Sequence, residues 1–170
     1  MRVLNSDEKS STVIVYTASM LIRGDIILRD SMRVSIWPRT QGVPNFIHLF
    51  NVQIIQIAGS APKNFTRDEV FVPTPEVIGF HLAPPAHDPL DYDEAEANRR
   101  IQPIQIMAGT FEVKANLRVS TVTDFAASLD VLNASWISLY DAEITNPFLP
   151  QLHLNVPMLL LRSNAILIGL

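Results

Sequence analysis

Two stretches of this chain alternate apolar and other side chains with a period of two. Ile47 and Leu49 fall on one side against His48 and Phe50, and Ile137 and Leu139 fall against Ser138 and Tyr140. Successive side chains of a strand point to opposite faces, so residues 46–54 and 136–144 read as half-buried strands. Val13-Ile14-Val15-Tyr16-Thr17 and Ile104-Gln105-Ile106-Met107 read as opening strands, each leading to a glycine, Gly24 and Gly109. A glycine between apolar stretches predicts a bulge or a sharp strand bend, because it costs least where the backbone is strained. Val156 to Leu170 is broken by Pro157 and by Arg162-Ser163-Asn164, and reads as two short strands and a turn. Helical patterning is sparse. Its best candidates are Val122–Leu129 and Asp91–Arg100, the latter with acids early and arginines late as the helix dipole prefers.

The chain also repeats itself. Gly24–Ser35 lies over Gly109–Ser120 without a gap, with Gly, Arg, Val and Ser identical. Phe46–Ile54 lies over Trp136–Ile144, aromatic on aromatic twice, and Val70–Ile78 lies over Leu159–Leu167 with apolar positions matched. Three blocks in one order, with length differences confined to turn-like stretches, are what a duplicated module with variable loops produces. The expectation is an all-β chain with little helix: a polar N-terminal tail over 1–11, a first module over 12–82, a Pro-rich acidic linker over 83–100 and a second module over 101–170. Pro84, Pro85 and Pro89 crowd that linker, and the Asp91–Arg100 helix candidate falls inside it.

Composition narrows the classes. A formal charge of −4 leaves no surplus of Lys and Arg to neutralise phosphates, which disfavours nucleic acid as a partner. The absence of cysteine removes disulfides, thiolate metal sites and cysteine nucleophiles. No apolar run approaches the roughly 18 residues that span a bilayer, so no membrane association is expected. The first eleven residues are polar, with Asp7, Glu8 and Lys9 where a secretory signal would be apolar, and a cytoplasmic location is the expectation.

The run of glycine, apolar strand, Arg-Val-Ser, variable loop and then apolar-x-Leu-x-Asn/Asp-small-x-Ile resembles the first half of the Sm-like small β-barrel. Leu160–Ile168 is similar to the second Sm motif, an apolar strand running through an Arg turn into the last strand. The likeness spans about 12–82 and 101–170 and is nearest to a bacterial group of tandem Sm-like proteins. The resemblance implies two tandem Sm-like, SH3-like five-stranded small barrels, assembly into rings by strand addition, and often RNA binding. The family's base-contacting Asn falls on Phe46 in the first copy and on Trp136 in the second. Its Arg-Gly turn is Pro73-Thr74 in the first and Arg162-Ser163 in the second.

Candidate chemistry is thin. His81 and His87 with Asp88, Asp91, Asp93 and Glu94 form one cluster of metal-type ligands, but their spacing follows no ligand pattern and a solvated acidic linker is the simpler reading. No nucleophile elbow, phosphate loop or zinc-protease motif occurs, so no enzyme and no cofactor are expected. Arg33, Arg118 and Arg162 are candidate partner or anion contacts. For Arg33 and Arg118 the structural alternative is a carboxylate or backbone carbonyls that fix a loop. Phe46, Phe50, Trp136 and Tyr140 are candidate stacking or interface positions. The final strand is apolar on both faces, which makes Ile166 and Ile168 a candidate oligomer edge.

Two functions follow as expectations. The leading one is a non-enzymatic binding or scaffold protein that self-assembles through strand edges, a homo-oligomer with room for a protein partner. The alternative is an Sm-like protein binding RNA or single-stranded nucleic acid, with the aromatic positions stacking on bases and Arg33 and Arg118 on phosphates.

Overall fold

The computed structural model describes residues 3–57, 61–131 and 135–170. The chain is all-β, with ten antiparallel strands in one sheet among the described residues. In chain order they are β1 (Glu8–Tyr16), β2 (Met20–Arg29), β3 (Phe46–Gln56), β4 (Lys63–Pro73), β5 (Gly79–Leu82), β6 (Arg99–Ala108), β7 (Phe111–Ser120), β8 (Trp136–Thr145), β9 (His153–Arg162) and β10 (Ile166–Gly169). Across the sheet the order is β10-β6-β7-β8-β9-β5-β1-β2-β3-β4. The last strand of each half lies beside its first, so one five-strand order occurs twice. The two runs join where β5 pairs with β9, Gly79 opposite Leu161 and Phe80 opposite Leu160.

Side-chain patterning explains which strands lie where. β7 alternates strictly, with Phe111, Val113, Ala115, Leu117 and Val119 buried and Glu112 and Lys114 exposed, as a strand with one wet face must. β1 ends in the unbroken run Val13–Tyr16 because it lies mid-sheet with both faces covered. Val13 and Val15 enter one apolar cluster, with Ile22, Leu49, Phe80 and Trp37; Ile14 and Tyr16 enter the other, with Ile106, Phe111, Leu139 and Leu159. Each cluster borrows from the far half: Trp136 and Leu160 complete the first, Tyr16, Leu21 and Ile78 the second. The two halves therefore share their cores.

Several expectations need correction. The polar tail is shorter than residues 1–11, since Glu8–Ser11 pair with Ile26–Arg29 in β1. Arg99 and Arg100, placed in the linker, open β6. The helix expected over Val122–Leu129 is a single short one, α1 (Phe125–Val131), whose start is capped by the Asp124 carboxylate accepting from the Ala127 N–H at 2.7 Å. Asp91–Arg100 is not helical: Asn98 takes a φ of 64° and the Asp93 side chain turns back onto the Ala95 N–H.

The first repeat block is also displaced. Gly24 does sit at a bulge, between Arg23 and Asp25, where an added Cβ would meet the Leu49 Cβ at 3.1 Å. The matching bulge in β7 falls between Lys114 and Asn116, which puts Ala115 at the position of Gly24. Gly109 instead makes the β6–β7 turn with a φ of 61°. Arg33 and Arg118 are consequently not equivalent, one lying beyond the end of β2 and the other within β7. The second block agrees with the register, and the third does so over Val70–Pro73 and Leu159–Arg162, slipping by one residue beyond the turn, where Leu167 matches Gly79. Phe46 faces Pro73 as Trp136 faces Arg162, and Phe50 faces Asp25 as Tyr140 faces Asn116.

Candidate functional site

Two regions stand out among the described residues: the outer edges of the sheet and the surface that the linker covers. Among the described residues β4 pairs only with β3 and β10 only with β6, so each presents a row of open backbone donors and acceptors. Register makes β4 the counterpart of β9, with Phe71 standing where Leu160 stands and Phe46 where Trp136 stands. Leu160 is 0% exposed and Trp136 6%, because both plug into the cluster of the other half; Phe71 is 58% exposed and Phe46 51%. The same two positions are thus filled at the inner junction and bare at the outer edge. His48 stacks on Phe71 with ring centroids 4.2 Å apart and touches Phe50 at the same separation, so Phe46, His48, Phe50 and Phe71 form one aromatic strip.

The opposite edge is apolar as well. On β10, Ile166 and Ile168 turn inward against the second cluster, while Leu167 on the alternate face is open, with Met107 opposite it and Leu170 beyond the strand end. The oligomer edge expected at Ile166 and Ile168 falls on an outer strand of the sheet, whose exposed side chain is that of Leu167. β10 is the counterpart of β5: Leu167 faces Met107 as Gly79 faces Tyr16.

Trp136 and Tyr140 are not open platforms. Arg162 lies over the Trp136 ring at 4.6 Å and donates to the carbonyls of Val77 at 2.9 Å and Thr74 at 2.8 Å, which spends its guanidinium on the joint between the halves. Tyr140 is buried and donates its hydroxyl to Asp91 at 2.7 Å.

Asp91 is the surprise of the linker. Its side chain is 6% exposed, paired with Arg39 at 2.7 Å, and accepts from Ser138 and Tyr140 at 2.7 Å each. Burial works against its charge, but the bonds from Ser138 and Tyr140 and the Arg39 guanidinium outweigh it and hold the carboxyl below its ordinary range. Burial and the Asp91 contact push the Tyr140 phenol up. Around this centre Asp88 accepts from the Ser35 backbone N–H at 2.9 Å, and Arg33 donates to the Pro89 carbonyl. Arg118 sits over the Tyr92 ring at 4.0 Å, donates to the Asp93 carbonyl at 3.2 Å and pairs with Glu96 at 3.2 Å. The linker is therefore a docked strap and not a solvated tether. Arg33 and Arg118 hold this chain's own carbonyls and carboxylates. Sequence reasoning missed Arg39 and Asp91 as a pair, since nothing local marks two residues 52 positions apart as partners.

The histidines of the 81–94 cluster part company. His81 is 1% exposed inside β5. Its Nδ1–H donates to the Leu82 carbonyl at 2.7 Å and its Nε2 accepts from the Tyr16 hydroxyl at 2.8 Å, while burial lowers the imidazole pKa to about 4. His87 is exposed on the strap. Among the described residues, no three His, Asp or Glu side chains converge to hold a metal ion, and no helix is long and apolar enough to cross a membrane.

No protein family, curated protein or solved structure matches the chain.

Proposed function

We propose that this chain is a non-enzymatic scaffold protein of two tandem Sm-like, five-stranded barrels that assembles with further copies of itself, head to tail, through β4 of one copy and β10 of the next. The carrying observation is the contrast between Leu160 and Phe71, which occupy equivalent positions but are 0% and 58% exposed. The inner joint supplies the register. Transferring Gly79 opposite Leu161 and Phe80 opposite Leu160 to the open edges sets Leu167 opposite Val72 and Ile168 opposite Phe71 of the neighbouring copy. Burying a Phe and a Leu side chain contributes about 1.5–3 kcal/mol each, and the strand pairing satisfies open backbone groups at both edges. Such a contact uses two different surfaces, so it propagates until a ring closes. The RNA alternative loses support, because Trp136 and Tyr140 are covered and Arg33 and Arg118 are engaged by the linker.

The test is the solution mass by light scattering at micromolar concentration, with the absorbance ratio at 260 and 280 nm. A discrete oligomer free of nucleic acid is expected. A monomer ends the assembly reading, and a ring carrying nucleic acid reinstates the alternative.

A further inference from the structure

The strap marks a second site with a different ligand chemistry. Arg33 and Arg39 of the first half and Arg118 of β7 converge on a linker that holds five acids between Asp88 and Glu96. Its central Asp91-Tyr92 step is read in detail. The carboxylate takes Arg39, Ser138 and Tyr140, and the ring lies between the Arg118 guanidinium at 4.0 Å and the Tyr140 ring at 4.7 Å. Guanidinium forks on carboxylates and a cation over an aromatic ring are the contacts by which proteins recognise acidic peptides.

At its leading end the strap fits poorly. Arg33 gives one bond to a backbone carbonyl while its Nε is buried with no partner among the described residues. Asp88 reaches only the backbone of Ser35, whose buried hydroxyl is likewise unpaired. Buried donors left unpaired cost stability, so a segment that brings a carboxylate to Arg33 Nε and Ser35 Oγ would outdo the strap there.

We propose that the surface under the linker is a recognition site for an acidic, aromatic-bearing peptide segment of a partner protein, and that residues 88–96 occupy it in cis as a displaceable strap. Tethering keeps the strap at high effective concentration, so a partner segment enters only by competition, and in the resting protein the site is covered. Peptide is favoured over nucleic acid because the present occupant is a peptide whose Asp91 carboxylate already satisfies the Arg39, Ser138 and Tyr140 centre.

The probe is a fluorescein-labelled synthetic peptide spanning residues 86–97, with a control in which every Asp and Glu is replaced by its amide. In fluorescence anisotropy the full-length D91A/Y92A variant should bind the acidic peptide at least tenfold more tightly than the unaltered protein does. Adding R39A or R118A should remove that gain, and the amide control should not bind. The proposal is overturned if a D91A/Y92A protein with native circular dichroism gains no affinity, if the control binds equally, or if a mixed-sequence single-stranded RNA is bound in preference to the peptide. Should that variant fail to fold, hydrogen exchange on the unaltered protein decides. Excess acidic peptide should speed exchange across 88–96 and leave the β1 amides unchanged, and no change across 88–96 overturns the proposal.

Discussion

Asn51 donates its side-chain amide to the Asp25 carboxylate at 2.8 Å, tying a left-handed residue of β3 to the bulge in β2. The second half makes the same tie with the groups exchanged: Asn116 at the β7 bulge donates to Asp141 of β8 at 3.2 Å. Asn51 and Asp141 have φ values of 50° and 49°, a region that Asn and Asp tolerate better than other non-glycine residues. One amide and one carboxylate therefore complete each bulge, whichever strand supplies which.

That exchange predicts a rescue. N51D sets two carboxylates against each other and should lower stability by about 1–2 kcal/mol. The double variant D25N/N51D copies the second half and should return to within about 0.5 kcal/mol of the unaltered protein. Urea unfolding of the unaltered protein, D25N, N51D and the double variant checks both statements, and an additive double variant would show that the pair is not coupled.

Neutral His81 predicts an acid-sensitive fold. Its folded pKa, about 4, lies below the ordinary 6.5, so between these values the unfolded chain binds the proton and the folded chain does not. Stability contributed by the neutral imidazole is complete above pH 6.5 and is lost as pH falls toward 4, by about 3 kcal/mol. H81Q, which keeps a polar group near Tyr16 without the titration, should flatten the unfolding free energy over that window. A slope equal to that of the unaltered protein would assign the acid sensitivity elsewhere.

Equivalent positions should respond oppositely to the same change. L160K buries a charge in the shared core and should prevent folding, since an unpaired buried ion costs several kcal/mol. F71K touches only the open edge and should leave a folded chain of monomer mass. Circular dichroism with light scattering on both variants checks the contrast, and an F71K oligomer of unchanged mass would place the interface elsewhere.

Arg162 predicts the strength of the inner joint. R162A removes two hydrogen bonds to the carbonyls of Thr74 and Val77 together with the cation over Trp136, and should cost about 2–3 kcal/mol. R162K keeps the charge but not the fork and should recover less than half of that loss. Thermal or urea unfolding reads both, and full recovery by lysine would mean that charge alone matters.

Much of the fold is legible in local pattern. The alternation of Ile47 and Leu49 against His48 and Phe50 placed β3, its echo at Ile137 and Leu139 placed β8, and the break at Arg162–Asn164 separated β9 from β10. The first repeat block departs from the register because residue identity pairs Gly with Gly and Arg with Arg, whereas register follows the bulge, and the second half builds its bulge on Ala115. The site was less legible still. Phe46 and Phe50 were picked out by their type and do lie on an accessible strip, but Trp136 and Tyr140 share that type and are buried.

The sequence by itself determined that the chain is all-β, where most strands run and that its pattern occurs twice, because strand periodicity and turn chemistry act over a few neighbouring residues. Only the tertiary structure decided that the halves share their cores, that Phe71 stays bare where Leu160 is covered, and that the acidic linker docks on Arg39, Ser138 and Tyr140. Those outcomes depend on which distant surfaces meet. Leu160 and Phe71 are both apolar residues with apolar neighbours on either side, and what separates them is whether another half of the molecule lies alongside.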